Sequence, residues 1–309
     1  MVDLHTHSNF SDGDLSPEKL INEAFNQGLS AVALTDHDTI NGLEIAKNAA
    51  IQLVNNLPEN CGKKFFFVPG IEININWTGI KSGVSKTVPG LGPGGEFHLL
   101  GLGIKKPSVA FISAVDKLAS RRRARNREIL ERMIELSLIP PGDRESAWKE
   151  LSVLSSGNSL GRPHFAVFLI KKKIVKNINQ AFNRYLGVGK PLYVPKVGLF
   201  FDEAVSLICE SGGIPVLAHP FSLYVAWGRL PDLVKKLKEM GLMGLEAWHP
   251  IAKNSSCRRL EIMAHSLGLY VTEGSDFHGA YRPDSRLGYS NKGRKINDKI
   301  LEAIPELLY

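Results

Sequence analysis

The chain has 309 residues, 43% hydrophobic and 22% charged, with a formal net charge of +7. That length allows one large domain or two modest ones, each with a substantial core. No apolar run reaches the roughly 18 residues of a membrane span, and no basic-then-apolar leader opens the sequence, so a soluble cytoplasmic protein is expected.

Cys61, Cys209 and Cys257 are scattered and form no C-x-x-C pair. A disulfide framework and a thiolate zinc site are both excluded, and any metal must be held by nitrogen and oxygen.

Residues 1–7 (MVDLHTH) read as a strand. Alternate side chains of a strand share a face, so His5 and His7 point the same way with Asp3 beside them. Alone, this His-x-His fits hydrogen-bonded structural histidines as well as it fits a metal site. A helix follows, with Ser16 as its N-cap, Pro17 at its first position and Gly28 at its stop. Residues 29–37 (LSAVALTDH) form a nearly continuous apolar run, as a buried parallel strand requires. Residues 41–56 are helical, and 64–74 and 97–104 are two further strands. Between the latter lies a long Gly/Pro-rich loop, 81–97, which fits a mobile lid or a plain surface segment.

From 107 to 195 the pattern is helical and basic, with no clear strand until 192–195 (LYVP). Alternation then resumes: helix 201–212, strand 213–220, helix 231–241, strand 244–248, helix 255–268, strand 269–278 and a closing helix 296–308. Repeated βα units on both sides of an insertion predict one α/β barrel, with 1–106 and 196–309 as its two parts and 107–195 as an inserted helical subdomain.

Nearly every predicted strand ends in His, Asp or Glu, at the rim where barrels of this kind assemble their sites. His5 and His7 are followed by Asp12. Asp36, His37 and Asp38 end the second strand, and Glu72 lies in the third. His219, then Glu246 with His249, then Asp276 with His278 end the later ones. His98 begins the fourth strand and so breaks the pattern of direction. Of nine histidines only His265, mid-helix, stands apart and is read as structural. Mixed imidazole and carboxylate groups suit Mn, Fe or Zn over an all-oxygen magnesium or calcium cage. The rim carries more such groups than one ion uses, so two or three divalent ions are expected. Clustered ions lower the pKa of a bound water and clamp both oxygens of a phosphoryl transfer, which makes phosphate-ester hydrolysis by hydroxide attack the chemistry that fits best.

Basic residues cluster at 120–127, 171–176 and 235–238. The last reads as a solvated helix face. The first two fall in one region and suit an anionic or nucleotide substrate. No helix-turn-helix or other duplex-DNA reader is visible.

Taken in order, DLHTHSNFSDGD, LTDHD, GIE, HLLG, AHP and GSDFH resemble the polymerase and histidinol phosphatase (PHP) family of metal-dependent phosphoesterases. The resemblance spans almost the whole chain. It implies a distorted seven-stranded barrel around a trinuclear centre, with manganese foremost. It also implies His5, His7, Asp12, His37, Glu72, His98, His219, Asp276 and His278 as metal ligands. The helical insertion with GRPHFA (161–166) is similar to the branch that removes the 3′-phosphate of nucleoside 3′,5′-bisphosphates and trims short oligoribonucleotides. In that branch the Arg and His of this motif approach the substrate phosphate, here Arg162 and His164. A guanidinium fork suits phosphate oxygens, although Arg162 could instead cap the following helix. His249 is a further candidate, as phosphate donor or as the acid protonating the leaving oxygen. Asp36, Asp38 and Asp3 are candidates for orienting the histidines. The 81–97 loop is longer than the family usually carries there, which bears on His98 and on what the site admits. Histidinol-phosphate phosphatase is the alternative within the class. A non-catalytic metal- or nucleic-acid-binding module is the alternative outside it.

Overall fold

The computed structural model describes residues 1–58, 62, 64–76, 95–155 and 160–308. The 81–94 part of the Gly/Pro-rich loop and Cys61 lie outside the described residues, and Cys209 and Cys257 are free thiols. No helix among the described residues is long and apolar enough to cross a membrane.

Seven strands form one sheet in sequential order: β1 (Val2–Asp3), β2 (Ala31–Leu34), β3 (Phe66–Asn74), β4 (His98–Leu102), β5 (Ile214–Leu217), β6 (Gly244–Trp248) and β7 (Tyr270–Glu273). A parallel bridge between Thr6 and Phe277 brings the two edges together, so the sheet is nearly closed into a barrel. The helices are α1 (Pro17–Asn26), α2 (Leu43–Asn55), α3 (Val109–Glu135), α4 (Arg144–Leu154), α5 (Arg162–Lys171), α6 (Ile178–Ala181), α7 (Phe201–Glu210), α8 (Leu230–Glu239), α9 (Asn254–Ser266) and α10 (Lys299–Ala303). Ser16 caps α1 by accepting from the Lys19 N–H, which removes one of the helix's orphan donors.

All strand pairs are parallel except β3–β4 and β4–β5. That reversal accounts for His98. On β3 the side chains of Val68 and Glu72 fall on the inward alternation. Register pairs Gly70 with Leu102, Glu72 with Leu100 and Asn74 with His98. Val68, Leu100 and Leu102 share one buried cluster with Val216 and Ala218 of the β5 segment. Because β4 runs downward, its first residue reaches the rim that the other strands reach with their last.

Ile304 and Leu307 from the C-terminal segment join that same cluster. The closing helix is shorter than expected. It ends at Ala303, Ile304 leaves the helical region, which a residue before proline disfavours, for φ −134° and ψ 66°, and Pro305–Leu308 form a 3-10 turn. The 192–195 segment is not a strand: Pro195 lacks an N–H to donate, and the bridge nearby joins Leu199 to Ile75.

Residues between β4 and α7 contribute to two cores. Phe111, Ala114, Val115 and Leu118 of α3 belong to the barrel's outer cluster, with α7, α8 and α9. A second cluster, from Ile129 to Val194, is built by the rest of α3 with α4, α5 and α6. Its last turn, Phe182–Leu186, is a π-helix. The lysines of 235–238 lie exposed on α8.

Candidate active site

Glu72, fully buried, is the centre of the rim. Its Oε1 lies 2.8 Å from both His98 Nδ1 and His219 Nε2. Its Oε2 lies 2.9 Å from His37 Nδ1, 3.3 Å from His7 Nε2 and 3.4 Å from His5 Nε2. Asp276 Oδ1 is 3.2 Å from His7 Nε2 and 3.4 Å from His278 Nδ1. Asp12 Oδ1 is 3.2 Å from His278 Nε2. Four overlapping groups of three or four donor atoms result: His7/Asp12/His37/His278, His5/His7/Asp276, His5/Glu72/His219 and His37/Glu72/His98. Within each, the donor atoms lie within 4.8 Å of one another. All nine expected residues are therefore in one place.

This donor set fits divalent ions. Ring nitrogens face each other, His5 Nε2 and His7 Nε2 at 3.1 Å and His98 Nδ1 and His219 Nε2 at 3.4 Å. Asp12 Oδ1, His37 Nδ1 and Glu72 Oε2 are buried against facing rings and carboxylates yet make no well-aligned hydrogen bond among the described residues, which is costly unless something else satisfies them. Mixed imidazole nitrogen and carboxylate oxygen is borderline-metal chemistry. The charges are already polarised for it. Burial raises the Glu72 carboxyl, but the His37, His98 and His5 rings outweigh this and hold it well below the usual range. Burial alone would depress His7; its hydrogen bonds to Asp276 and Glu72 win and push it up to about 9. His37 goes the other way, pulled down to about 4 by burial.

Buried carboxylates hold these rings in place. Glu246 Oε1 accepts from His5 Nδ1 at 2.9 Å, and its Oε2 accepts the His219 N–H at 2.6 Å. His5 thus turns Nε2 toward Glu72, His7 and Asp276. Asp36 accepts from the Ser8 N–H, Ser8 Oγ and Ser11 Oγ, and Ser11 Oγ lies 3.4 Å from His7 Nδ1. Asp3 and Asp38 do not reach the rings. Asp3 accepts main-chain N–H groups of His5, Ser275 and Gly288, fastening β1 to the β7 loop. Asp38 pairs with Arg122. Asp38, His219 and Asp276 all have positive φ (53°, 24° and 50°), a strained state tolerated where surrounding bonds over-determine it. Gly274 permits a close approach: a Cβ there would sit 2.3 Å from His5 Cβ.

Above the cluster opens a cavity of about 290 Å³. Arg122, Arg125, Arg162, Lys196 and Arg282 line it, with Ile178, Phe182, Ile251 and Tyr281. Arg282 pairs with Asp276 and Arg162 with Glu96. Lys196 Nζ is 3.4 Å from His98 Nε2, and its pKa is lowered by burial, with the neighbouring arginines adding to the effect.

A profile of the PHP domain matches residues 3–186. The chain belongs to the PHP domain family. This PHP protein is 31% identical over 280 residues to a 5′-3′ exoribonuclease of Salmonella typhimurium, covering 90% of this chain and 85% of that one. It is 28% identical to a 3′,5′-nucleoside bisphosphate phosphatase of Chromobacterium violaceum, over 90% of this chain and 87% of the other. It also superposes with a TM-score of 0.76 and 27% identity on a structure described as an amidohydrolase from Chromobacterium violaceum with bound sulfate and no metal, covering 98% and 96% of the two chains.

Other expected residues of this PHP site fall differently. Arg162 lines the cavity, with its guanidinium 5.8 Å from the Phe182 ring and 5.7 Å from the Tyr193 ring. His164 is buried, and its Nδ1 accepts the Gly161 N–H at 2.9 Å, closing the N-terminus of α5. The neutral ring therefore carries its proton on Nε2, and burial lowers its pKa. His249 is engaged on both nitrogens: Nε2 donates to Asp276 Oδ2 at 3.1 Å and Nδ1 accepts the Ile251 N–H at 3.3 Å. His265 is exposed on α9. The two basic runs separate. Arg122 and Arg125 of the first reach the cavity, whereas Lys172 of the second pairs with Glu150 on the surface. Lys196, Glu96 and Arg282 were not legible as site residues. Arg282 had one signal, its place four residues beyond His278.

Proposed function

We propose that this chain hydrolyses the 3′-phosphate of nucleoside 3′,5′-bisphosphates and removes nucleotides from short 5′-phosphorylated oligoribonucleotides. One observation carries the reading: seven members of the nine-residue imidazole–carboxylate cluster line a single cavity with five cationic side chains and an apolar wall. The cluster suits a phosphate ester, the cations suit a second phosphate, and Phe182 with Ile178 suits a base. The names and coverage of the relatives support the same class, phosphoester hydrolysis.

His5, His7, Asp12, His37, Glu72, His98, His219, Asp276 and His278 are assigned as ligands of two or three divalent ions, manganese foremost. Bound there, the ions would lower the pKa of a water and neutralise phosphate oxygens. The chain's own groups do the rest. Arg162 and Lys196 bind phosphate oxygens, the guanidinium by its paired N–H groups and the ammonium as a point charge. Glu96 keeps Arg162 aimed while the cavity is empty of phosphate. Arg282 and His249 both hold Asp276, and this orienting role replaces the acid role read for His249 from the sequence. His164 fixes the loop that carries Arg162.

In both substrates the bond broken is P–O3′ of the 5′-terminal nucleotide. The oxygen of water joins phosphorus, and O3′ leaves with a proton. The helical segment supplies Arg122, Arg125 and Arg162, which a small amino-alcohol phosphate would not need. The test is a manganese-supplemented screen over nucleoside 3′,5′-bisphosphates, histidinol phosphate, sugar phosphates and short RNAs, with and without EDTA. EDTA-sensitive turnover of the bisphosphates and short RNAs well above the other substrates is expected. Preference for histidinol phosphate, or turnover unaffected by EDTA, refutes the reading.

A further inference from the structure

Beside the catalytic cavity lies a second one of about 380 Å³, which none of the assigned roles uses. Phe10, Arg122, Arg123, Asn126 and Trp148 line it. Arg122 belongs to both cavities, and its Nη2 donates to the His37 carbonyl at 3.0 Å. The second cavity is therefore one guanidinium away from the cluster. Asn126 is only 2% exposed. Its Nδ2 donates to the Leu160 carbonyl at 2.9 Å, and because a carbonyl can only accept, that contact fixes the amide's orientation. The amide oxygen is left buried with no partner among the described residues. A buried acceptor of this kind calls for an N–H or O–H donor from a ligand. Trp148 is half-buried, and the Arg127 guanidinium lies 4.6 Å from its ring centroid, which pins the indole in one orientation.

The geometry points to this second cavity as the subsite for the second nucleotide of a short single-stranded RNA, stacked on Trp148 and donating to Asn126 Oδ1. This rests on the function proposed above. In a bisphosphate the reacting phosphorus carries only oxygens beyond O3′; in an oligonucleotide it also carries the O5′ of the next nucleoside. That nucleoside needs a place next to the cluster, and aromatic rings interleaved with arginine are what single-stranded nucleic acid uses. The subsite contributes nothing to the mononucleotide.

Trp148→Leu keeps an apolar side chain against the helical core and removes the stacking face, and Trp148→Phe restores a ring. The probes are adenosine 3′,5′-bisphosphate turnover, 5′-phosphorylated tetra-adenylate turnover, and anisotropy of 3′-fluorescein tetra-adenylate binding in EDTA. Trp148→Leu should lose about 10-fold or more in tetra-adenylate affinity and kcat/KM, keep bisphosphate kcat/KM within about twofold, and regain RNA binding as Trp148→Phe. Unchanged RNA affinity, or equal losses on both substrates with an unshifted melting temperature, overturns the subsite. Wild-type protein inert toward both phosphoesters would overturn the proposed function instead. The anisotropy comparison would still decide the subsite, for or against.

Discussion

Replacing Glu246 by glutamine exchanges one carboxylate oxygen for an NH2 group in a fully buried position. The carboxylate accepts twice, from His5 Nδ1 at 2.9 Å and from the His219 N–H at 2.6 Å, and an amide can accept only once on one side. If its NH2 faces His219, two donors meet and a charge-assisted hydrogen bond of about 1.5–3 kcal/mol is lost. If its NH2 faces His5, Nδ1 must accept and the ring proton moves to Nε2, the nitrogen aimed at Glu72, His7 and Asp276. A protonated Nε2 cannot ligate an ion. One effect opposes this: Glu246 raises the His5 pKa, so its neutralisation weakens proton competition for the ring. Loss of the ligating tautomer dominates, because competition only scales affinity whereas the wrong tautomer removes a ligand. Glu246→Gln should bind Mn²⁺ about 10–100-fold more weakly, measured by calorimetry against a competing chelator. Unchanged affinity together with an unchanged melting temperature would show that Glu246 does not set the His5 tautomer.

His7→Ala and Asp276→Ala should each abolish phosphate release while circular dichroism stays native; full activity in either would remove the cluster from the mechanism. If Arg162 holds a substrate phosphate as proposed, Arg162→Ala should raise KM for the bisphosphate at least 10-fold with a smaller change in kcat; equal loss in both parameters would place it in the reacting geometry instead. For pH, His7 in the metal-free fold has its pKa raised to about 9 from an unfolded 6.5. Its contribution to stability is fully present below pH 6.5 and is lost as pH rises through 9, a change on the order of 3 kcal/mol. Metal loading needs the unprotonated ring, so the melting-temperature gap between Mn²⁺- and EDTA-treated protein should widen from pH 6.5 to 9. A flat gap contradicts the assignment. Asp3→Ala strands three buried N–H groups and should lower stability by about 3 kcal/mol or more in urea unfolding; a smaller loss would mean that water reaches those groups.

The barrel was legible because its strands alternate with helices and end in ionisable residues, a one-dimensional pattern. His98 looked like an exception until β4 proved antiparallel, and direction is a property of pairing that one strand's sequence does not carry. The cationic wall was legible only in part. Arg122 sits in a visible run, but Arg121 beside it donates to the Gly198 carbonyl and Arg123 to Ser120; only helical phase in the packed structure separates them. Lys196 is a single lysine after a proline-bounded segment, with no pattern around it. The role of Glu246 needed a distance across β1, β5 and β6, since residues 5, 219 and 246 meet only in three dimensions.

The reversed strand has a kinetic consequence. The chain leaves the sheet at Leu102 and pairs with it again at Ile214, so the ladder beside His98 and His219 closes one of the longest loops in the protein. Loop entropy grows with the span that remains unstructured, and non-local pairings of this kind slow folding. The intervening segment has its own apolar cluster. Its early collapse would shorten the effective span and bring Leu102 and Ile214 within reach. The helical segment would then act first as a folding clamp for the barrel and only afterwards as one wall of its cavity.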